Sequence, residues 1–148
     1  MVSIPGPSVI PDRVLSAMHR PMPNIYEGDL VEVSYSVQDD LRKIARTEQP
    51  VYISVSNGHG AWEMAISNTL SRGDKVLVLE SGTFAVGWGE MAEVSGVKAD
   101  ILPGNDPDPV SPEALEEYLK ADLSREIAAV MVVQVDTATS VRNDVKAI

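Results

Sequence analysis

The chain has 148 residues, of which 44% are hydrophobic, so it is long and apolar enough for one folded domain with a core. Its net charge of −10 disfavours general binding to nucleic-acid phosphates, although backbone N–H groups can still hold a single anionic ligand. The lack of cysteine excludes disulfides and Cys-based zinc sites and fits a cytoplasmic protein, and no apolar run is long enough to predict a membrane span.

The first 24 residues are rich in proline and predict an N-terminal arm that precedes a main domain over 25–148. They lack the basic and apolar regions of a secretory signal. Pro11 and Asp12 suit the first turn of a short helix, which the next two prolines would end. We predict that this arm lies on something else, and an untethered tail is the alternative.

From residue 28 onward, predicted helices and strands alternate. Apolar residues at helical spacing predict a long amphipathic helix, namely Leu30, Val33, Val37, Leu41 and Ile44. Further helices are predicted over 61–70, over 84–94 and from Pro112, where Ser111 is the cap. Short β-branched or apolar runs predict four strands, over 51–55, 75–79, 97–102 and 128–133. The alternation predicts an α/β fold of three layers, with helices on both faces of a mostly parallel sheet.

Polar loops follow three of these strands, at 56–60, 80–84 and 134–140. Ligands of such sheets bind beyond the C-terminal ends of the strands, so we expect function in these loops. The first loop, SNGHG, leads from a strand into a helix, where glycines let the backbone approach an anion and free N–H groups meet it. It is neither a P-loop nor a complete dinucleotide fingerprint.

Two aromatic residues in these loops have alternative interpretations. His59 is a base, a metal ligand or a phosphate donor, or else contributes only its backbone N–H while its ring is solvated. Two distant histidines without cysteine disfavour a metal site. Phe84, the only phenylalanine, either covers a flat ligand or packs on the sheet, whereas Trp62 and Trp88 are predicted to be packing residues.

The third loop contains a cluster of hydroxyl groups over 137–140. These hydroxyls can bond the oxygens of a ligand. The default alternative is that Thr139 or Ser140 caps a helix that follows.

The order and content of these segments resemble the class V pyridoxal-phosphate-dependent aminotransferases of the serine–glyoxylate and alanine–glyoxylate type. The matching segments are 5–8 (PGPS), 58–63 (GHGAWE), 81–84 (SGTF) and 136–144 (DTATSVRND). The pairs Trp62-Glu63 and Asn143-Asp144 favour the serine–glyoxylate branch and argue against other class V reactions, such as cysteine desulfuration.

The resemblance implies a role for six positions. The cofactor phosphate is held by Asn57, Gly58 and His59, mainly through backbone N–H groups. The ring of Phe84 stacks on the pyridine ring, and Thr137 hydrogen-bonds its phenolic oxygen. Gly6 approaches the substrate from the arm.

Three positions depart from the family pattern and leave the substrate preference open. His59 stands where many serine–glyoxylate enzymes have Thr, Ser140 replaces a common Gly, and Asp136 replaces a common Glu.

The Schiff-base lysine of the family has no counterpart in the chain, because none of the five lysines follows the expected serine-glutamine pair. The chain therefore resembles only the N-terminal part of such an enzyme and is predicted to be inactive alone. The resemblance implies that the full-length parent, a homodimer, transaminates serine or alanine to glyoxylate or pyruvate. The alternative is a non-catalytic fragment that binds phosphate weakly or docks with a full-length partner.

Overall fold

The computed structural model describes residues 6, 8–104 and 108–148, which fall into two compact units, 1–55 and 56–148. Pro5 and Pro7 of the PGPS segment lie outside the described residues. The predicted boundary between an arm and a domain at residue 24 stays a prediction.

The first unit contains two helices, α1 (Asp12–Met18) and α2 (Asp29–Ala45), and both were predicted. Helix α2 ends where Arg46 takes a left-handed backbone conformation with φ of 51°. Neither helix has a buried residue, so the apolar stripe of α2 has the predicted period but is not fully buried. Helix α2 contains an ion pair between residues three positions apart. The guanidinium group of Arg42 lies 2.5 Å from the Asp39 carboxylate.

The strand predicted over 51–55 is wrong. These residues form no ladder with any strand in the described part of the chain, and the side chains of Ile53 and Val55 are exposed. A β-branched run favours an extended backbone, but a strand also needs a neighbour that pairs its N–H and C=O groups. Composition alone could not show whether that neighbour is present.

The second unit is built on a sheet of three strands, β1 (Lys75–Leu79), β2 (Lys98–Leu102) and β3 (Ile127–Met131). Their order is β2-β1-β3, and both pairs are parallel. Three of the four predicted strands are therefore present, with ends shifted by two residues at most. The central strand β1 is buried from Val76 to its end, which explains its continuous apolar sequence.

Three helices cover the sheet, α3 (Gly58–Thr69), α4 (Thr83–Val94) and α5 (Pro112–Ala121). Alternate residues of β1 point to opposite faces. One buried cluster joins the sheet to α3 and α4, through Ile66, Val76, Val78 and Ala92. The other joins it to α5, through Leu77, Leu79 and Leu115. The predicted three-layer arrangement is confirmed.

Helix α5 begins as predicted, because the Ser111 hydroxyl accepts a hydrogen bond from the Ala114 N–H at 3.2 Å, and Pro112 follows the cap.

Candidate functional site

The first loop is a helix start rather than a separate turn. Helix α3 begins at Gly58, three residues before the predicted start, because Asn57 caps it. The Asn57 Oδ1 accepts the His59 N–H at 3.1 Å, and the Asn57 carbonyl oxygen accepts the Gly60 N–H at 3.1 Å. A Cβ on Gly60 would overlap the side chain of Ser56, whereas a Cβ on Gly58 would meet nothing within 4 Å. The space beside Gly58 is therefore open.

Aromatic rings join the first loop to the second. The ring centroid of Trp62 lies 4.7 Å from the ring centroid of His59 and 6.2 Å from that of Phe84. Trp88 stacks on Trp62 at 5.7 Å with 16° between the planes, so both tryptophans pack as predicted. The rings of His59 and Phe84 are 6.3 Å apart, which brings the N-terminus of α3 next to the first turn of α4.

The third loop is a tight turn rather than a helix start. Val135 and Arg142 form an antiparallel bridge across it, and Ser140 has a left-handed φ of 64°. The prediction that Thr139 or Ser140 caps a following helix is wrong, because no helix follows in the described residues 141–148. Ser140 stands where the family commonly has Gly, and the left-handed backbone explains why glycine suits that position.

Two contacts attach this turn to the second loop. The Thr139 hydroxyl donates to the Ser81 carbonyl oxygen at 2.7 Å. The Asp136 carboxylate accepts the Ala85 N–H at 3.0 Å through Oδ2 and the Ala138 N–H at 2.9 Å through Oδ1. Asp136 is fully buried. The three loops thus meet at one edge of the sheet, beyond the C-terminal ends of β1 and β3.

Sequence reasoning missed this role of Asp136, although a signal was present. Helix α4 follows Gly82, which has no side chain to cap the free N–H groups of the first turn. A buried helix start without a local cap requires an acceptor from elsewhere in the chain.

Asn143 is a second buried polar residue with a structural role. Its Oδ1 accepts the Val110 N–H at 3.0 Å, and its Nδ2 donates to the Val133 carbonyl oxygen at 2.8 Å. Asn143 therefore connects the third loop to the segment before α5. This structural role explains the presence of asparagine in the Asn143-Asp144 pair.

The two remaining predicted site residues are exposed. Thr137 lies next to Asp136 in the third loop. Gly6 belongs to the first unit, and its predicted approach to the substrate stays a prediction.

Lys75 is unsuited to act as an activated amine. Its Nζ lies 3.1 Å from the Glu126 carboxylate and 3.4 Å from that of Asp100. The hydrogen bonds that the Lys75 ammonium donates to Glu126 and Asp100 raise the pKa of Lys75, whereas a nucleophilic lysine needs a lowered pKa. It also starts β1, so the length of the strand, about 13 Å, separates it from the loops.

A pocket of about 450 Å³ lies beside the second loop. Glu80, Thr83, Glu90, Gly104 and Thr139 are among its lining residues. Its size is within the range of small-molecule sites. The buried Ser81 hydroxyl, in the same loop, has no hydrogen-bond partner among the described residues.

No group of three or more metal-ligating side chains that could hold an ion occurs within the described ranges. Of the helices described, none has the length and hydropathy needed to cross a membrane.

No family model matches the chain, but several known proteins of similar sequence or structure are named as aminotransferases. The serine–glyoxylate aminotransferase of Methylorubrum extorquens is 38% identical over 98% of the chain and 36% of its own length. The crystal structure of the alanine–glyoxylate aminotransferase of Nostoc has a TM-score of 0.71. It is 29% identical, and the match covers 95% of the chain and 37% of the length of the Nostoc protein. The crystal structure of an aspartate aminotransferase of Thermus thermophilus has a TM-score of 0.78. It is 27% identical, and the match covers 97% of the chain and 39% of the length of the Thermus protein.

The parallel sheet, its covering helices and the three loops at one edge define an α/β domain of the aminotransferase fold type I. Nearly the whole chain matches about the N-terminal third of class V aminotransferases of the serine–glyoxylate and alanine–glyoxylate type. It spans about 36% of the length of the serine–glyoxylate relative, a share that fits the N-terminal part of such an enzyme.

Proposed function

We propose that this chain supplies the phosphate-binding loop and the ring-stacking residue of a pyridoxal-phosphate-dependent aminotransferase. The observation that best supports this proposal is the distance of 6.3 Å between two ring centroids. One ring is that of His59, at the start of α3, and the other is that of Phe84, at the start of α4. An aromatic phosphate ester needs an anion site and a flat apolar face close to each other. In the full-length protein, the amino group of serine or alanine passes to glyoxylate or pyruvate, and the molecule is a homodimer.

The start of α3 fits a phosphate group. Helix N-termini carry N–H groups without helical partners and the positive end of the helix dipole. The open space beside Gly58 leaves room for phosphate oxygens near these groups. The Asn57 side chain now caps the His59 N–H, so a bound phosphate takes the place of Asn57 Oδ1 as the acceptor, and the Asn57 amide becomes free to donate.

The second and third loops fit the pyridine ring. Phe84 is half-buried, and its ring rests against Trp62, so a stacked ligand meets a face that is already oriented. Thr137 is exposed, and in this proposal its hydroxyl hydrogen-bonds the phenolic oxygen of the ligand.

When bound, pyridoxal phosphate supplies the electron sink for exchange of the amino group and the Cα proton. The residues of this chain bind and orient the cofactor. None of these residues is given an acid–base role. Lys43 and Lys75 remain ammonium ions, because neighbouring carboxylates raise the pKa of each.

The test is a titration of the chain with pyridoxamine 5′-phosphate, which has no aldehyde that would react with surface lysines. Quenching of the emission of Trp62 and Trp88 reports binding. We expect Gly58→Val to weaken binding most, because the side chain occupies the space of the phosphate. Phe84→Ala loses stacking of roughly 0.5–1.5 kcal/mol beyond its buried area. His59→Ala loses at most one side-chain hydrogen bond, of about 1 kcal/mol.

Ser67→Val is the matched control, because it places the same β-branched side chain at an exposed position of the same helix. It should bind the ligand as the unsubstituted chain does. If Gly58→Val binds as tightly as that control while His59→Ala does not bind, the loop is not a backbone phosphate site and the assignment of residues 57–59 is wrong.

A further inference from the structure

Helix α4 starts at the site without a cap of its own. Its N-cap is Gly82, so no local side chain accepts the free N–H groups of the first turn. Phe84, the proposed stacking residue, lies in this turn. The position of its ring therefore depends on what holds the start of the helix.

Asp136 supplies that cap from the third loop. Its Oδ2 accepts the Ala85 N–H, one residue after Phe84, and its Oδ1 accepts the Ala138 N–H, one residue after Thr137. One fully buried carboxylate thus bonds the backbone beside both residues that are proposed to contact the pyridine ring. Hydrogen bonds to a carboxylate are shorter and stronger than those between neutral groups.

Two further features hold the loops at this distance. The Thr139 hydroxyl donates to the Ser81 carbonyl oxygen at 2.7 Å. Gly82 has a φ of 154°, and a Cβ there would overlap the Asp136 carboxylate, so the close approach requires glycine. The contact is therefore built by residues of both loops.

We propose that Asp136 is a positioning residue, which fixes Phe84 relative to Thr137 and so determines how the pyridine ring is held, separately from its phosphate. The proposal rests on the cofactor assignment above. Within the described part of the chain, no hydrogen bond joins the phosphate loop at the start of α3 to Asp136. Binding of the phosphate and of the pyridine ring should therefore respond differently to substitution of Asp136.

The experiment compares two probes, pyridoxamine 5′-phosphate and inorganic phosphate, the second measured as a competitor of the first. In Asp136→Asn, an amide N–H₂ replaces one acceptor oxygen and opposes a backbone N–H. We expect pyridoxamine 5′-phosphate to bind roughly tenfold more weakly, while the affinity for inorganic phosphate stays within twofold. The circular dichroism of the bound pyridine ring should also change, because its orientation changes.

Asp122→Asn is the matched control. The Asp122 carboxylate also accepts two backbone N–H groups, those of Glu126 and Ile127, but it lies before β3 at the other end of the sheet. A smaller loss of stability is expected there, because Asp122 is only half-buried, and both affinities and the dichroism of the bound ring should be unchanged.

Thr139→Val is a second variant that weakens the contact between the second and third loops. It tests the positioning role in case Asp136→Asn does not fold. It removes the bond to Ser81 with little change of shape and should weaken pyridoxamine 5′-phosphate severalfold, again without an effect on phosphate. Equal weakening of both probes, or of neither, would overturn the positioning role. Failure of the unsubstituted chain to bind pyridoxamine 5′-phosphate would overturn the cofactor assignment and the positioning role together.

Discussion

The replacement Gly82→Ala tests whether the second and third loops are held by the buried carboxylate. The Cβ of alanine would overlap the Asp136 carboxylate, and the backbone at residue 82 has a φ of 154°, which residues with side chains rarely adopt. Alanine strains the backbone at this position, and the carboxylate must also move away from the Ala85 and Ala138 N–H groups.

The magnitude follows from these two costs. Backbone strain of this kind is about 1–3 kcal/mol, and each lost hydrogen bond to a charged acceptor costs about 1.5 kcal/mol or more. We therefore expect the free energy of unfolding to fall by about 4–6 kcal/mol, a large part of the stability of a typical domain. Gly87→Ala is the control, because it lies inside α4 with nothing within 4 Å of its Cβ. It should stabilise the helix by roughly 0.5–1 kcal/mol.

The assay is urea unfolding at fixed protein concentration, followed by far-ultraviolet circular dichroism. Asp136→Ala removes the obstructing carboxylate, so in that background Gly82→Ala should cost only the strain, about 1–3 kcal/mol. The difference between the two backgrounds is the coupling energy of residues 82 and 136. If Gly82→Ala changes stability by less than about 0.5 kcal/mol, or costs the same in both backgrounds, the inferred contact does not hold the loops.

Three further outcomes are expected of the 148-residue chain. It should show no transaminase turnover with serine or alanine plus glyoxylate, because none of its lysines matches the Schiff-base lysine of the family. Keto-acid production above that of free cofactor would contradict this. The chain should self-associate in light scattering, because β2 and β3 are edge strands of the described sheet and apolar side chains such as Leu123 are exposed, and a monodisperse monomer with a sharp thermal transition would count against it. The N–H groups of Ile127 and Glu126 lower the pKa of Asp122, so its stabilisation is present above its ordinary pKa of 3.8 and is lost as the pH falls below that value. Asp122→Asn should flatten the dependence of unfolding free energy on pH between 5 and 2.5, and an unchanged slope would refute the capping role.

Much of the second unit was predictable because its signals are local. The apolar run of β1, the cap and proline at the start of α5 and the glycine-rich start of α3 each involve residues a few positions apart. Such patterns set the type and the rough bounds of an element. Alternation of strands and helices then limits how the elements can connect, so the parallel three-layer arrangement followed as well.

The segment 51–55 shows where local signals fail. Its β-branched residues match those of a strand, yet its N–H and C=O groups pair with no described strand. Whether an extended run becomes a strand depends on a partner that is distant in sequence, and no property of the run itself contains that information.

At the site, the sequence by itself determined which residue types stand in the three loops, and hence the candidates Asn57, Gly58, His59, Phe84 and Thr137. Only the tertiary structure brought the rings of His59 and Phe84 together and placed Asp136 against a helix start 51 residues earlier. The physical reason is that a helix start needs an acceptor within hydrogen-bonding distance, and it makes no difference how far along the chain that acceptor lies. Spacing in sequence can reveal a local cap such as Ser111, but a cap like Asp136 is determined by how the sheet brings its loops together.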